Sequence, residues 1–327
     1  MATITFRGIT YTPTIATSNN QSLFGTSGND WLATLGGSNT IYAGEGANII
    51  LAGVQFLRIA NYIPYGGEAV FWNPLPDAGD NIVYGGAGDD YVATGIGNDV
   101  VYLGEGNNIF DGALDVGDNN TIYAGSGNDI IDVGNGKDLI FAGEGQNTIY
   151  SGGGDDTIYA GSGNDMIFAD ATSGGITTGF SSGNDLIYAG EGNNLIDAGA
   201  GNNTIYAGAG DDFIVTGFLS PFGGDDLIYA GEGDNFILSG SGNDKIYTGS
   251  GSDFFIFGLG EGVAEVIGYG ANDLIDATFL GGIEAVTLTQ LESDTLVSVG
   301  DDQIAILKNT LVSAVNLQAM WHIKKMP

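Results

Sequence analysis

The sequence has no cysteine and only one histidine, and these two shortages exclude several classes of protein. Without cysteine there is no disulfide framework, no cysteine-based zinc or iron–sulfur site and no thiol nucleophile. Acid–base catalysis by histidine would depend on His322 alone, and the HExxH and GxSxG motifs are absent. We therefore predict that the chain is not an enzyme; a hydrolase acting through two carboxylates is the least favoured interpretation.

Basic residues are also scarce, with 7 Lys and Arg against 40 Asp and Glu, which gives a net charge of −33. A surface with this charge repels phosphate, so nucleic acid is not expected as a partner. Disorder is not expected either, because 43% of the residues are apolar and 10% are aromatic. Between Arg58 and Lys308 only Lys137 and Lys245 are basic, so this part of the chain should become compact only when a cation neutralises it.

No stretch of the sequence resembles a membrane span or an N-terminal signal peptide, since the start has neither a basic region nor a long apolar run. This start is typical of a cytoplasmic protein. It is equally typical of a protein that is exported through a C-terminal signal, so it does not decide the compartment.

Glycine is abundant, at 58 of 327 residues, and it recurs in a repeat of nine, as in AGEGNNLIDAGAGNNTIYAGAGDDFIV from Ala189 to Val215. The unit x-G-x-G-[N/D]-[D/N]-x-[I/V/L]-x occurs in about twenty-two copies from Gly25 to Ile275. Its six Gly and Asn/Asp positions favour a tight turn, and the last three favour a short strand with its central side chain pointing inward. The inward eighth residues include Ile122, Ile131, Ile140, Ile149, Ile158 and Ile167.

Two such units make one closed coil, so we predict an all-β fold: a parallel β-roll, or right-handed β-solenoid, of about eleven 18-residue coils with terminal caps. The predicted domains are an N-terminal cap (1–24), the roll (25–262, with an insertion at about 54–76) and a C-terminal β cap (263–327). The insertion is apolar and aromatic, and it is expected to be either a flap over one face or a site for a ligand or partner.

The sixth residues of alternate turns are predicted to form two opposite edges of the roll. The first edge, called here the clean edge, carries Asp30, Asn48, Asp90, Asn108, Asp129, Asn147, Asp165, Asn194, Asp212, Asn235 and Asp253. The second edge, which receives every insertion and is called the decorated edge, carries Asn39, Asn81, Asp99, Asn120, Asp138, Asp156, Asp185, Asn203, Asp226 and Asp244. Asp and Asn alternate strictly on the clean edge, so each of its turns keeps one carboxylate if the Glu residues at the third position of its Asn turns are counted. These are Glu45, Glu105, Glu144, Glu191 and Glu232.

This repeat resembles the RTX (hemolysin-type) calcium-binding nonapeptide, G-G-x-G-x-D-x-U-x, over roughly three quarters of the chain. One difference is systematic, because the first Gly of the motif is most often Ala here. The resemblance implies that several Ca²⁺ ions bind between stacked turns, held by turn Asp residues and loop carbonyls. The implied ligands are Asp30, Asp90, Asp99, Asp129, Asp138, Asp156, Asp165, Asp185, Asp212, Asp226, Asp244 and Asp253.

Elementary metal chemistry agrees with calcium, which takes six to eight hard oxygen ligands, whereas Mg²⁺ demands a tighter octahedron. Two hypotheses remain for the Asn turns. Either their Glu residues restore the charge as ligands or close neighbours of the ion, or the Asn turns hold no metal and are joined by amide ladders. Folding is expected to require Ca²⁺ near millimolar concentration, as in extracellular modules.

The ninth residues on one sheet form a predicted outward aromatic file: Tyr42, Tyr84, Tyr102, Tyr123, Phe141, Tyr159, Tyr188, Tyr206, Tyr229 and Tyr247. The seventh residues on the opposite sheet form an apolar file: Trp31, Ile49, Tyr91, Ile109, Ile130, Met166, Leu195, Phe213, Phe236 and Phe254. Three interpretations compete for these files: stacking that stabilises the sheet, lateral packing against another subunit, and stacking against sugar rings. Ice binding is disfavoured, because Glu, Ser or Ala occupies the place of a regular Thr array.

Together these features predict a secreted calcium-binding structural protein that assembles with copies of itself into a fibre or surface layer at or outside the cell surface. The alternative is an extracellular module that binds carbohydrate or another cell-surface partner. Neither nucleic acid nor a membrane span is expected. The resemblance further implies type I secretion without an N-terminal signal peptide, through a signal within the C-terminal region.

Overall fold

The computed structural model describes residues 4–16, 20–62, 67–74, 79–112, 117–171, 182–217, 223–258 and 262–319. The chain forms two compact units, Met1–Ser181 and Ser182–Pro327. Within the described ranges there are strands but no α-helix, apart from the short 3-10 turns Ile283–Ala285 and Val312–Ala314. Accordingly, no helix in these ranges is long and apolar enough to cross a membrane.

In chain order, the strands of the first unit are β1 (Ile4–Phe6), β2 (Ile9–Tyr11), β3 (Pro13–Ala16), β4 (Ser22–Phe24), β5 (Trp31–Thr34), β6 (Thr40–Tyr42), β7 (Ile49–Ala52), β8 (Val54–Tyr62), β9 (Gly67–Pro74), β10 (Ile82–Ala87), β11 (Tyr91–Thr94), β12 (Val100–Glu105), β13 (Ile109–Asp111), β14 (Thr121–Ser126), β15 (Ile130–Asp132), β16 (Leu139–Phe141), β17 (Thr148–Tyr150), β18 (Thr157–Tyr159) and β19 (Met166–Phe168). Apart from the strands of two antiparallel hairpins, β1–β2 and β8–β9, they alternate between two parallel sheets. The tyrosine sheet has the order β4-β6-β10-β12-β14-β16-β18. The opposite sheet has the order β3-β5-β7-β11-β13-β15-β17-β19.

The second unit repeats this arrangement. Its strands are β20 (Leu186–Tyr188), β21 (Leu195–Asp197), β22 (Thr204–Tyr206), β23 (Phe213–Thr216), β24 (Leu227–Tyr229), β25 (Phe236–Ser239), β26 (Lys245–Tyr247), β27 (Phe254–Phe257), β28 (Ala264–Ile267), β29 (Leu274–Asp276), β30 (Val286–Leu291), β31 (Asp294–Val299), β32 (Asp302–Lys308) and β33 (Leu317–Gln318). One sheet has the parallel order β20-β22-β24-β26-β28-β32. The other has the order β21-β23-β25-β27-β29-β33.

The nonapeptide explains both the turns and the strands. At Gly104 the backbone has φ +99°, and a Cβ atom there would lie 1.8 Å from the carbonyl oxygen of Gly86 in the preceding coil. Only glycine allows the coils to approach this closely. In the strands, identical positions pair in register, for example Ile122 with Ile140 and Ile140 with Ile158.

The eighth residues form the core between the two sheets, as predicted. Ile122, Ile131, Ile140, Ile149, Ile158 and Ile167 are all fully buried. The Ala residues two positions after these isoleucines, such as Ala124 and Ala142, are also buried. The interior is therefore a thin double ladder of aliphatic side chains, and the predicted parallel β-roll is confirmed.

Part of the opposite sheet is covered, which differs from the expectation of an open apolar file. The antiparallel hairpin β1–β2 places Phe6 and Tyr11 against Trp31, Ile49 and Tyr91, and all five side chains are buried. The expectation was wrong there because the N-terminal hairpin lies on this face, a contact that the repeat does not encode. Further along the same file, Met166 and Phe213 are exposed.

Antiparallel strands lie near the C-terminus, as the alternation of apolar and polar residues predicted. Strand β32 pairs with β28 in parallel and with β31 in antiparallel fashion, and β31 pairs with β30. The insertion forms the antiparallel hairpin β8–β9. Side chains 55–78 and residues 320–327, including His322, lie outside the described part, so the flap interpretation and the domain boundaries stay predictions.

Candidate metal centre

Within each unit, a ladder of hydrogen bonds joins the sixth residues of stacked turns on the clean edge. The backbone N–H of each residue donates to the side-chain Oδ1 of the sixth residue in the next coil, as from Asp90 to Asn108 at 2.9 Å and from Asn108 to Asp129 at 2.7 Å. The same bond runs from Asp30 through Asn48, Asp90, Asn108, Asp129 and Asn147 to Asp165 in the first unit, and from Asn194 through Asp212, Asn235 and Asp253 to Asp273 in the second. This succession confirms the predicted register of the clean edge, and the ladder continues to Asp273.

The decorated edge has an equivalent ladder, with fewer alternations. The backbone N–H of Asp99 donates to Oδ1 of Asn120 at 3.0 Å, and the backbone N–H of Asn120 donates to Oδ1 of Asp138 at 2.6 Å. Elsewhere on this edge one Asp follows another in the ladder. The backbone N–H of Asp138 donates to Oδ1 of Asp156 at 2.9 Å, and that of Asp226 donates to Oδ1 of Asp244 at 3.0 Å. Here two carboxylates therefore lie in adjacent coils without an amide between them.

In the Asn turns, the second side-chain atom closes the turn. The Nδ2 group of Asn48 donates to the carbonyl of Gly46 at 2.9 Å, two residues earlier. Asn39, Asn81, Asn108, Asn147, Asn194, Asn203 and Asn235 make the same bond, at 2.6 to 3.4 Å. Both polar atoms of these buried amides are therefore used.

In the Asp turns, the second side-chain atom is an oxygen and has no hydrogen to donate. The Oδ2 atoms of Asp90, Asp129, Asp138 and Asp212 are buried and accept no hydrogen bond within the described part of the chain. A buried carboxylate oxygen without a partner is costly, because the desolvation of the charge is not repaid. The folded chain thus presents regularly spaced buried oxygens that need a cation or a proton.

Burial has a marked effect on the acidity of these groups. It raises the pKa of Asp90, Asp99, Asp138, Asp212 and Asp226 to about 7, although their hydrogen bonds from the preceding coil oppose the rise. It raises the pKa of Asp129, Asp165, Asp244 and Asp253 to about 6. Ion pairing with a divalent cation would reverse this effect.

Hydroxyl groups at the first position of the turn lie beside three carboxylates of the decorated edge, and the patterns in the sequence did not single them out. Ser239, at the first position of its turn, donates to Oδ2 of Asp244. Thr94 and Thr216 occupy the same position and partly oppose the rise in the pKa of Asp99 and Asp226. The signal in the sequence was present, since the first position of these turns is Ser or Thr where most turns of the clean edge have Ala or Gly.

A second ladder on the outside of the turns was also not anticipated. Here the fifth residues are connected in the opposite direction, as the backbone N–H of Asn128 donates to Oδ1 of Asn107 at 2.9 Å, and Gln146 donates to Asn128 at 2.7 Å. Lys137 takes this position once, and its ammonium group pairs with Asp155 of the next coil at 2.5 Å. These side chains are exposed, so they join the coils without burying charge.

The twelve predicted ligand residues all lie in the turns, but they do not converge as clusters. Asp30 is half-buried and the other eleven are buried: Asp90, Asp99, Asp129, Asp138, Asp156, Asp165, Asp185, Asp212, Asp226, Asp244 and Asp253. No group of three acidic or His side chains within the described residues is placed to hold one ion. A cation here must therefore take most of its ligands from backbone carbonyls, which suits the oxygen preference and flexible geometry of Ca²⁺.

The five Glu residues of the Asn turns lie at the surface. Glu45, Glu105, Glu144, Glu191 and Glu232 are all exposed. Glu144 lies in register between Ser126 and Ser162 of the neighbouring coils, and Glu232 accepts a hydrogen bond from Ser250. Their role as calcium ligands stays a prediction.

The ninth residues of the tyrosine sheet form one file of stacked rings in each unit, called here the tyrosine file. The members are Phe24, Tyr42, Tyr84, Tyr102, Tyr123, Phe141 and Tyr159 in the first unit and Tyr188, Tyr206, Tyr229 and Tyr247 in the second. Neighbouring centroids are 4.7 to 5.2 Å apart, and the ring planes lie within 7° of parallel. The first ring, Phe24, was missed from the sequence because it precedes the first complete repeat.

Comparison with known proteins agrees with the geometry of the turns. The family model for the RTX calcium-binding nonapeptide repeat, in four copies, matches residues 17–55, 77–114, 116–140, 132–167, 181–214 and 222–255. These stretches cover more than half of the chain and contain all twelve of the predicted ligand residues. No curated protein matches the chain significantly.

Proposed function

The chain belongs to the RTX calcium-binding nonapeptide repeat family, and on this premise we propose that it is a secreted structural protein that folds on binding Ca²⁺ and assembles with copies of itself. Proteins with these repeats bind Ca²⁺ at multiple sites and are typically secreted. The fibre or surface layer, the location at or outside the cell surface and the type I export route are our proposals.

The ladder of buried carboxylates supports folding on calcium. Each Asp turn buries a negative charge, and the whole chain carries a net charge of −33. Ca²⁺ supplies positive charge to these oxygens, so its binding free energy becomes free energy of folding. The twelve Asp residues of the predicted set would contribute their carboxylates, and turn carbonyls would complete the coordination.

The tyrosine file is the observation that carries the proposal of self-assembly. Tyr42, Tyr84, Tyr102 and Tyr159 are between 37% and 42% exposed, so a straight strip of ring edges and hydroxyl groups reaches the surface. Stacking holds the rings in one conformation, which lowers the entropy lost when a second flat surface covers them. Extended exposed apolar surface of this kind is typical of interfaces between proteins.

The same geometry argues against sugar stacking, the mechanism of the alternative carbohydrate-binding function. A sugar ring packs against the face of an aromatic ring, yet here each interior ring, such as Tyr102, has a neighbouring ring on both faces. The arrangement therefore favours a flat protein surface as the partner.

Sedimentation velocity and electron microscopy of the protein with Ca²⁺ test this proposal. We expect filaments or sheets for the unmodified chain, and monomers with an unchanged circular dichroism spectrum for the double variant Tyr102→Lys/Tyr206→Lys. Asn128→Lys is the matched control, since it places Lys at an exposed fifth position that Lys137 already occupies in another coil. Monomers of the unmodified chain that are retained on a glycan column would favour the alternative and overturn self-assembly.

A further inference from the structure

The sixth side chains of two clean-edge turns, Asn108 and Asp129, differ by one heavy atom, since Nδ2 of Asn108 stands where Asp129 has Oδ2. The Oδ1 atoms of both accept the same hydrogen bond from the preceding coil, at 2.9 and 2.7 Å. The Nδ2 group of Asn108 donates to the carbonyl of Gly106 at 3.2 Å, whereas Oδ2 of Asp129 is buried and no described residue donates to it.

We propose that the Asn side chains replace calcium ions in their turns, so that calcium is required only at the Asp turns and most of all where one Asp follows another. The proposal rests on calcium binding by the Asp turns, as proposed above. It divides the repeats of this chain into turns that are stable without metal and turns that depend on it.

The chemistry of the amide supports this division. A cation in such a turn must neutralise the buried carboxylate and attract carbonyl oxygens of the turn. An Asn side chain has no charge to neutralise, and its own N–H group already bonds to a turn carbonyl. It therefore satisfies the turn at a lower electrostatic cost than a carboxylate, which needs an ion to become stable in the same place.

The order of residues along the two edges then determines where calcium is needed most. Asp90 lies between Asn48 and Asn108, so an uncharged turn separates it from other sixth-position carboxylates. By contrast, Asp226 and Asp244 are both buried and lie in adjacent coils, with the backbone N–H of Asp226 donating to Oδ1 of Asp244 at 3.0 Å. Asp138 and Asp156 form a second pair of this kind. Because calcium affinity rises with the number of charged ligands, these pairs should fill first.

The first test introduces a carboxylate into an Asn turn. Asn108→Asp should lower stability at a limiting Ca²⁺ concentration that still folds the unmodified chain, and it should bind about one more Ca²⁺ per chain, with stability restored at saturating calcium. The matched control is Asn107→Asp, which adds the same charge one residue away at an exposed position and keeps the Oδ1 acceptor. Stoichiometry is measured by calorimetry and metal analysis, and stability by urea denaturation.

The second test removes a carboxylate from a pair. Asp226→Asn should retain more of the β circular dichroism spectrum in EGTA, lower the number of bound ions by about one and remove one site from the tightest class in a calcium titration. Asp225→Asn is the matched control, because it removes the same single negative charge as Asp226→Asn but at an exposed fifth position. The control should keep both the ion count and the tight class.

The outcomes separate this inference from the proposed function. If the unmodified chain binds no Ca²⁺, both are overturned. If it binds Ca²⁺ and folds with it, but Asn108→Asp equals Asn107→Asp and Asp226→Asn equals Asp225→Asn, then the Asn side chains do not replace calcium, while the proposed function stands.

Discussion

Asp226 and Asp244 occupy the same position in adjacent coils, and the backbone N–H of Asp226 donates to Oδ1 of Asp244 at 3.0 Å. Both side chains are buried. The nearest uncharged sixth residue in this ladder is Asn203, whose backbone N–H donates to Oδ1 of Asp226 at 2.8 Å. The winding of the chain thus brings like charges together where solvent does not screen them. This arrangement is stable only with protons or cations, and several of the expected results below depend on it.

Removal of calcium should unfold most of the repeat region. Each site that is filled at a hundredfold excess over its dissociation constant stabilises the fold by about 2.7 kcal/mol, and this contribution disappears in EGTA. Circular dichroism should show loss of the β spectrum in EGTA and its return with millimolar Ca²⁺. The same β-rich spectrum in EGTA and in calcium would contradict calcium-dependent folding.

The metal-free protein should become less stable as the pH rises from about 5.5 to 7.5. The pKa values of Asp90, Asp99, Asp138, Asp212 and Asp226 are raised from 3.8 to about 7 in the fold, so the folded chain binds more protons than the unfolded chain in this window. The free energy of unfolding then falls by about 1.4 kcal/mol per pH unit for each extra proton bound.

Circular dichroism in EGTA at three pH values follows this change, since more of the β spectrum should be retained at pH 5.5 than at pH 7.5. Saturating Ca²⁺ should remove the pH dependence because the ion takes the place of the protons. A metal-free stability that increases with pH in this window would show that these carboxylates are not buried as described.

Replacement of a close-contact glycine should be far more damaging than replacement of an open one. For Gly104→Ala we expect a loss of about 3 kcal/mol or more, since the new Cβ would lie 1.8 Å from the oxygen of Gly86 at a φ of +99°. Gly117 has a φ of +81°, and no atom of the other described residues would lie within 4 Å of a new Cβ, so Gly117→Ala should cost about 1–2 kcal/mol. Urea denaturation in saturating Ca²⁺ compares the two, and equal losses would contradict close stacking of the coils.

The inward ladder should carry most of the apolar stabilisation. Ile140 is fully buried between Ile122 and Ile158, and Ile140→Ala should destabilise the protein by about 2–5 kcal/mol. Leu139 precedes it on the same strand, faces outward and is half-buried, so Leu139→Ala should cost about 1 kcal/mol. The reverse order in thermal or urea denaturation would mean that the strand has the opposite face inward.

Sequence reasoning predicted the repeating part of this structure well. The alternation of Asp90, Asn108 and Asp129 along one edge and the burial of Ile122 and Ile140 follow from the nonapeptide, because each coil meets a neighbour with nearly the same sequence. Features that break the repeat were missed. The cover of Phe6 and Tyr11 over Tyr91 joins residues that are far apart in the chain, and no periodic signal connects them.

The winding of the coil follows from the amino-acid sequence alone, since glycines that tolerate positive φ and an apolar eighth residue are local properties of each repeat. The side chains that occupy the turns follow from it as well. The folded structure was needed to show that Oδ2 of Asp129 is buried with no donor among the described residues while Nδ2 of Asn108 closes its turn, and to show which part of the opposite sheet is covered. Burial and hydrogen bonding of this kind depend on the atoms of the next coil or of a distant hairpin, and these are brought into contact only when the chain is folded.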